Sequence, residues 1–70
     1  MNKVYVYLTI GHKSFVTGIT AIVAMDEDFA FIESYKDAAT RKVCDHLGLP
    51  VNEIIIFDWK FLGENVLVIK

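Results

Sequence analysis

Cys44, Asp45 and His46 stand side by side, and a thiol next to a carboxylate and an imidazole is the raw material of a nucleophile with its base and orienting group. The three fall in a segment that reads as helix, where successive side chains diverge by about 100°, so they cannot converge on one atom. Cys44 therefore reads as a small, semi-buried apolar residue, and His46 as a cation favoured at the negative end of a helix. His12 with Lys13 and Ser14 forms a second cluster, at a hairpin tip, where donors can meet a phosphate or an acidic partner; a solvated turn explains it equally. Asp26-Glu27-Asp28 lacks the length and the glycine of a calcium loop and reads as a solvated turn. With two histidines, one cysteine and no acidic residue at ligand spacing from either histidine, no metal or cofactor site is expected. No convergent acid, base and nucleophile is present, so a non-enzyme is expected; an enzyme would need a composite site across a dimer interface.

Aromatic residues offer a different chemistry. Tyr5, Tyr7, Trp59 and Phe61 lie on candidate strands, where rings can stack on single-stranded nucleic acid if basic residues interleave. Only Lys3, Lys60 and Lys70 interleave here, and a net charge of −2 gives no positive field, so nucleic acid is the alternative rather than the expected partner. A second route to nucleic acid is a helix-turn-helix over residues 43–62, with Gly48 closing the first helix. Its second helix would present Ile54, Ile55, Ile56, Phe57, Trp59 and Phe61 with a single lysine to the DNA.

The elements that must carry these side chains are legible from periodicity. Val4, Val6, Leu8 and Ile10 alternate with Lys3, Tyr5, Tyr7 and Thr9, and a tight turn at residues 11–14 predicts a β-hairpin. The register sets Ile10 opposite Phe15, Leu8 opposite Thr17, Val6 opposite Ile19 and Val4 opposite Ala21, all on one face. The reverse face then holds Tyr5, Tyr7, Val16, Thr20 and Ile22, with Tyr7 across from Gly18. Residues 29–32 read as a short strand. Ser34, with Asp37 three residues on, predicts a helix start, and the helix over residues 35–47 ends at Gly48, Leu49 and Pro50. Its stripe of Tyr35, Ala39, Val43 and Leu47 faces the sheet; Asp37, Arg41 and Asp45 face water. Residues 53–61 alternate Ile55, Phe57, Trp59 and Phe61 against Ile54, Ile56, Asp58 and Lys60, and residues 66–69 return as the closing strand of a second hairpin.

Hairpin, helix, hairpin is a ββαββ order, and the segment Asp37-Ala38-Ala39-Thr40-Arg41-Lys42-Val43 resembles the helix of the protein G domain, a β-grasp fold. The resemblance covers seven of 70 residues and implies an arrangement, not a function. The expectation is one α+β domain over residues 1–70, a four- to five-stranded, mostly antiparallel sheet with one helix on one face.

That arrangement has too little cover. Folding a chain of this size buries about 7,000 Å², worth about 105 kcal/mol at ~25 cal/mol/Å² if about 60% is apolar. Ordering the chain costs about the same, at ~1.5 kcal/mol per residue. With 54% hydrophobic residues and a single helix to shield one side of the sheet, the other side must find a partner. The function expected is a non-catalytic interaction or regulatory module, an inhibitor or adaptor acting on a larger protein, and a homodimer. Its surface comprises Tyr5, Tyr7, Val16, Thr20 and Ile22, with Trp59 as the large anchor. Absence of a basic leader, of a spanning apolar run and of paired cysteines predicts a soluble, cytoplasmic protein without membrane partners.

Overall fold

The computed structural model describes residues 3–69. The chain runs through β1 (Val4–Gly11), β2 (Ile19–Met25), α1 (Ile32–Leu47), a 3-10 turn (Val51–Glu53) and β3 (Ile55–Gly63). These strands form one sheet in the order β2-β1-β3, with β1 antiparallel to both neighbours. The strict alternation of β1 accounts for its central place: Val6, Leu8 and Ile10 are fully buried beneath α1, and Tyr5, Tyr7 and Thr9 point to the opposite side. On the covered side α1 lays down Tyr35, Ala39 and Val43, with Met25 of β2 completing the core. Ala39 has no bulk to hold the helix away from the strands. Thr40, also buried, donates its hydroxyl to the Lys36 carbonyl at 2.8 Å, so its burial leaves no orphaned polar group. A small α+β fold with the helix on one face of an antiparallel sheet is thus present.

The helix end follows its punctuation. Gly48 takes the left-handed conformation (φ 72°), and the Leu49 N–H donates to the Cys44 carbonyl at 3.0 Å. The helix start does not. It begins at Ile32, after Phe31, and Ser34 sits in the first turn with its N–H on the Phe31 carbonyl (3.1 Å) rather than capping. Residues 29–31 form no strand. They are held onto the helix instead by Tyr35, whose hydroxyl accepts the Phe29 N–H (3.1 Å) and whose ring meets that of Phe29 edge-on at 5.0 Å.

Four further expectations are corrected. The β1–β2 register is Ile10 opposite Ile19 and Val4 opposite Met25, four residues away from a tight hairpin, so residues 12–18 form a loop and Tyr7 faces Ile22 rather than Gly18. A slip of four preserves every side chain's face. In β3 the ladder to β1 breaks between Thr9 and Ile10, leaving Phe57 as an extra residue, and again between Tyr5 and Val6, leaving Leu62 extra. The first bulge reverses the alternation, so Ile54 and Ile56 join Trp59 and Phe61 against the core while Ile55 and Phe57 are exposed. Residues 64–69 form no strand, so the described sheet has three strands, all antiparallel to their neighbours, and the closing strand of a ββαββ order is absent among the described residues. Residues 51–62, the recognition helix of the helix-turn-helix parse, are a 3-10 turn and a strand, as the three successive β-branched isoleucines favour. No helix among the described residues is long and apolar enough to cross a membrane.

Candidate interaction surface

No helix among the described residues packs on the sheet face opposite α1, and at its centre Tyr5 and Tyr7 are half-buried while Thr20, Ile22 and Ala24 beside them are exposed. Its central row is Tyr5, Tyr7 and Thr9. Across β2 these stand beside Ala24, Ile22 and Thr20, and across β3 Tyr7 and Thr9 stand beside Lys60 and Asp58. Thr9 donates its hydroxyl to the Tyr7 hydroxyl (2.9 Å) and lies 3.2 Å from the Thr20 hydroxyl, which fixes the polar end of the half-buried Tyr7 ring. Ile22 is 53% exposed beside it. The open face therefore has an aromatic and aliphatic centre with one cation and one anion on its β3 flank.

At the loop end this face is extended by Phe57, which the sequence alternation groups with Trp59 without singling it out as a surface residue. The Phe57 ring lies over two glycines: a Cβ at Gly11 would stand 2.5 Å from its outer carbons, and one at Gly18 would stand 3.5 Å from them. Only a glycine at position 11 admits the ring, and Phe57 remains 62% exposed on its other side. Ile55, Phe57 and Val16 line a shallow depression of about 410 Å³ with the loop residues. His12 holds the loop in place. Its Nδ1 accepts the Ser14 N–H (3.0 Å), which puts the ring proton on Nε2 to donate to Glu53 (3.1 Å), and its side chain is only 2% exposed. His12 is thus a tether between the loop and the 3-10 turn, not the solvated tip residue its neighbours suggested.

Of the six surface residues read from the sequence, Tyr5, Tyr7, Thr20 and Ile22 share the open face. Val16 is wholly exposed in the loop beyond its edge. Trp59 lies on the other side, packed against the core with the Lys36 ammonium 5.6 Å from its ring centre, because the bulge at Phe57 reversed the face on which it was placed. Phe57 and Ile55, of the same alternating set as Trp59, are the members of it that stay exposed, and Gly11 and Gly18 mark where the Phe57 ring approaches backbone closely.

The remaining chemical candidates are separated in space or engaged in structure. Cys44 is buried while Asp45 and His46 are exposed, as divergence on a helix requires. Burial, and then the Asp45 charge, push the Cys44 thiol above its ordinary range, which keeps it protonated and unreactive at neutral pH. In the acidic run, Asp28 accepts the Tyr35 hydroxyl (3.4 Å) and Glu27 pairs with Lys42 (3.3 Å). Lost hydration pulls the Glu27 carboxyl up, but the hydrogen bond and charge of Lys42, with backbone N–H bonds, outweigh it and leave the group below its ordinary range. Among the described residues no group of three His, Cys, Asp or Glu side chains is placed to hold a metal ion. The chain matches no family model, no curated protein and no solved structure, so the surface itself is the ground for a functional reading.

Proposed function

We propose that this domain is a non-catalytic protein-interaction module that docks through the open face of its sheet, with a second copy of itself as partner, and that the resulting dimer serves as an adaptor or inhibitor for a larger protein in the reducing cytoplasm. The observation that carries the reading is the sheet face opposite the helix, where half-buried Tyr5 and Tyr7 adjoin the exposed Ile22, on a chain too small to leave apolar area wet without cost. Its charge favours protein over nucleic acid, since Lys60 on the flank is matched by Asp58. Light scattering at micromolar concentration tests it: the expected mass is twice 8.0 kDa, and Tyr5→Glu, which places a charge in the central row, shifts the population toward monomer without loss of helical circular dichroism. A mass of 8.0 kDa at every concentration removes the reading.

A further inference from the structure

The two edges of the sheet are built differently. The β3 edge carries two bulges and, between them, Asp58 and Lys60, which are the usual devices that keep an edge from pairing. The β2 edge, Ile-Thr-Ala-Ile-Val-Ala-Met over Ile19–Met25, has no charge, no proline and no irregularity in its ladder. Between that edge and α1 runs an apolar groove of about 410 Å³, lined by Ala21 and Val23 of the strand and by Val43, His46 and Leu47 of the helix. An unprotected edge flanked by a groove beside a helix is the arrangement in which an added strand gives its backbone to the edge and alternate side chains to the groove.

The same chain presents a segment of matching chemistry. Val66, Leu67, Val68 and Ile69 are strand formers, yet they pair with nothing regular, and Leu67 and Ile69 are 82% and 83% exposed. Gly63 in the left-handed region (φ 74°), followed by the Val66 N–H on the Glu64 carbonyl (3.1 Å), turns the chain away from β3. The segment cannot serve its own β2 edge. A strand beyond β2 lies three strand spacings from β3, about 14 Å, and the three residues from Gly63 to Val66 span at most about 11 Å.

A second copy removes the difficulty. If two open faces pack about 10 Å apart around a two-fold axis parallel to the strands, the β3 edge of one copy lies over the β2 edge of the other. The added-strand position is then about 11 Å away, diagonally, which is the fully extended reach of Glu64 and Asn65, so the Glu64–Val66 turn opens as the segment crosses. We propose that residues 66–69 of each copy cross to the partner and add as a fourth strand on the partner's β2 edge. One set of alternate side chains enters the groove beside Val43 and Leu47, and the other faces back toward the packed sheets. The fourth strand expected from the sequence is thereby formed between copies, not within one. This inference rests on self-association through the open face and adds the contact that locks it.

Hydrogen exchange of the full chain, followed with concentration beside the mass, tests it. The outward N–H groups between Ile19 and Met25 gain protection as the dimer forms. Leu67→Asp with Ile69→Asp, both at exposed positions, raises the dimer dissociation constant at least ~100-fold and abolishes that protection at any concentration. Tyr5→Glu weakens the dimer, but its β2 edge is still protected once concentration restores it. A dimer whose β2 amides exchange as in the monomer, or one unaffected by the double substitution, overturns the strand exchange while leaving association through the face intact. A wild-type monomer at every concentration overturns both.

Discussion

Gly11→Ala sets two effects of similar size against each other and so tests the account of Phe57. The backbone at Gly11 is not in the left-handed region, so alanine fits it, and restricting the unfolded chain stabilises by about 0.4–1 kcal/mol. Against this, the new Cβ would sit 2.5 Å from Cε2 and Cζ of Phe57. Those atoms are the far end of a side chain that is 62% exposed, so the ring swings out instead of displacing backbone, and the loss is its partial burial, roughly 1 kcal/mol. The net change is expected within about 0.5 kcal/mol of zero, even though the contact is destroyed. A double-mutant cycle separates the two terms. Phe57→Ala costs about 1 kcal/mol in the parent and close to nothing in the Gly11→Ala background, a coupling of about 1 kcal/mol in urea denaturation read by Trp59 fluorescence. If Gly11→Ala alone costs more than about 2 kcal/mol, the ring is pinned and the bulge is rigid. If the two substitutions are additive, Phe57 does not rest on Gly11, and the loop end of the open face is built otherwise.

Three further outcomes are expected. At Gly48 a Cβ would meet nothing within 4 Å, so Gly48→Ala pays only for the left-handed backbone, about 1 kcal/mol by thermal or urea denaturation, and Gly48→Asn recovers part of it. Cys44 has a folded pKa above its unfolded one, so its contribution to stability is complete below the unfolded thiol's pKa and is lost as pH rises through the folded value; at neutral pH its reaction with a disulfide reagent is limited by opening of the domain and accelerates in urea. Glu27 has a depressed pKa, so its contribution is present above the ordinary carboxylate range and disappears as pH falls through the folded value; Lys42→Met returns its NMR titration toward that range, and an unchanged titration removes the ion pair.

The parts of the fold that were legible are those in which one pattern acts alone. The alternation of β1, the Tyr35-Ala39-Val43 stripe and the Gly48 stop each depend on neighbouring residues only, and each is present. The hairpin register was misplaced because a slip of four residues satisfies the same alternation. What selects the longer loop is distant in sequence: the His12–Glu53 bond and the Phe57 ring over Gly18. The helix begins at Ile32, three residues ahead of the expected Tyr35, and Tyr35 binds Phe29 and Asp28, a contact that outweighs an unused cap at Ser34. Of the candidate surface, Tyr5, Tyr7, Thr20 and Ile22 were readable because they lie on regular strands, whereas Trp59 was not, because a single bulged residue inverts everything after it.

That inversion also explains why the two edges differ. A strand that continued the alternation through Phe57 would bury Ile55 and Phe57 and expose Ile54 and Ile56, leaving β3 a regular, pairable edge. The bulge instead places Trp59 and Phe61 opposite Leu8 and Val6, where the core needs bulk, and spends the regularity of the β3 edge in doing so. Residues 66–69 leave β3 for a separate local reason, the second bulge at Leu62 and the left-handed Gly63 that follows it. In the exchange proposed above, this apolar segment pairs with the regular, uncharged β2 edge of a second copy. The Phe57 bulge is therefore the one local feature from which the packed Trp59 and Phe61 and the exposed phenylalanine both follow, and restoring regular alternation in β3 weakens the core and removes the Phe57 end of the open face together.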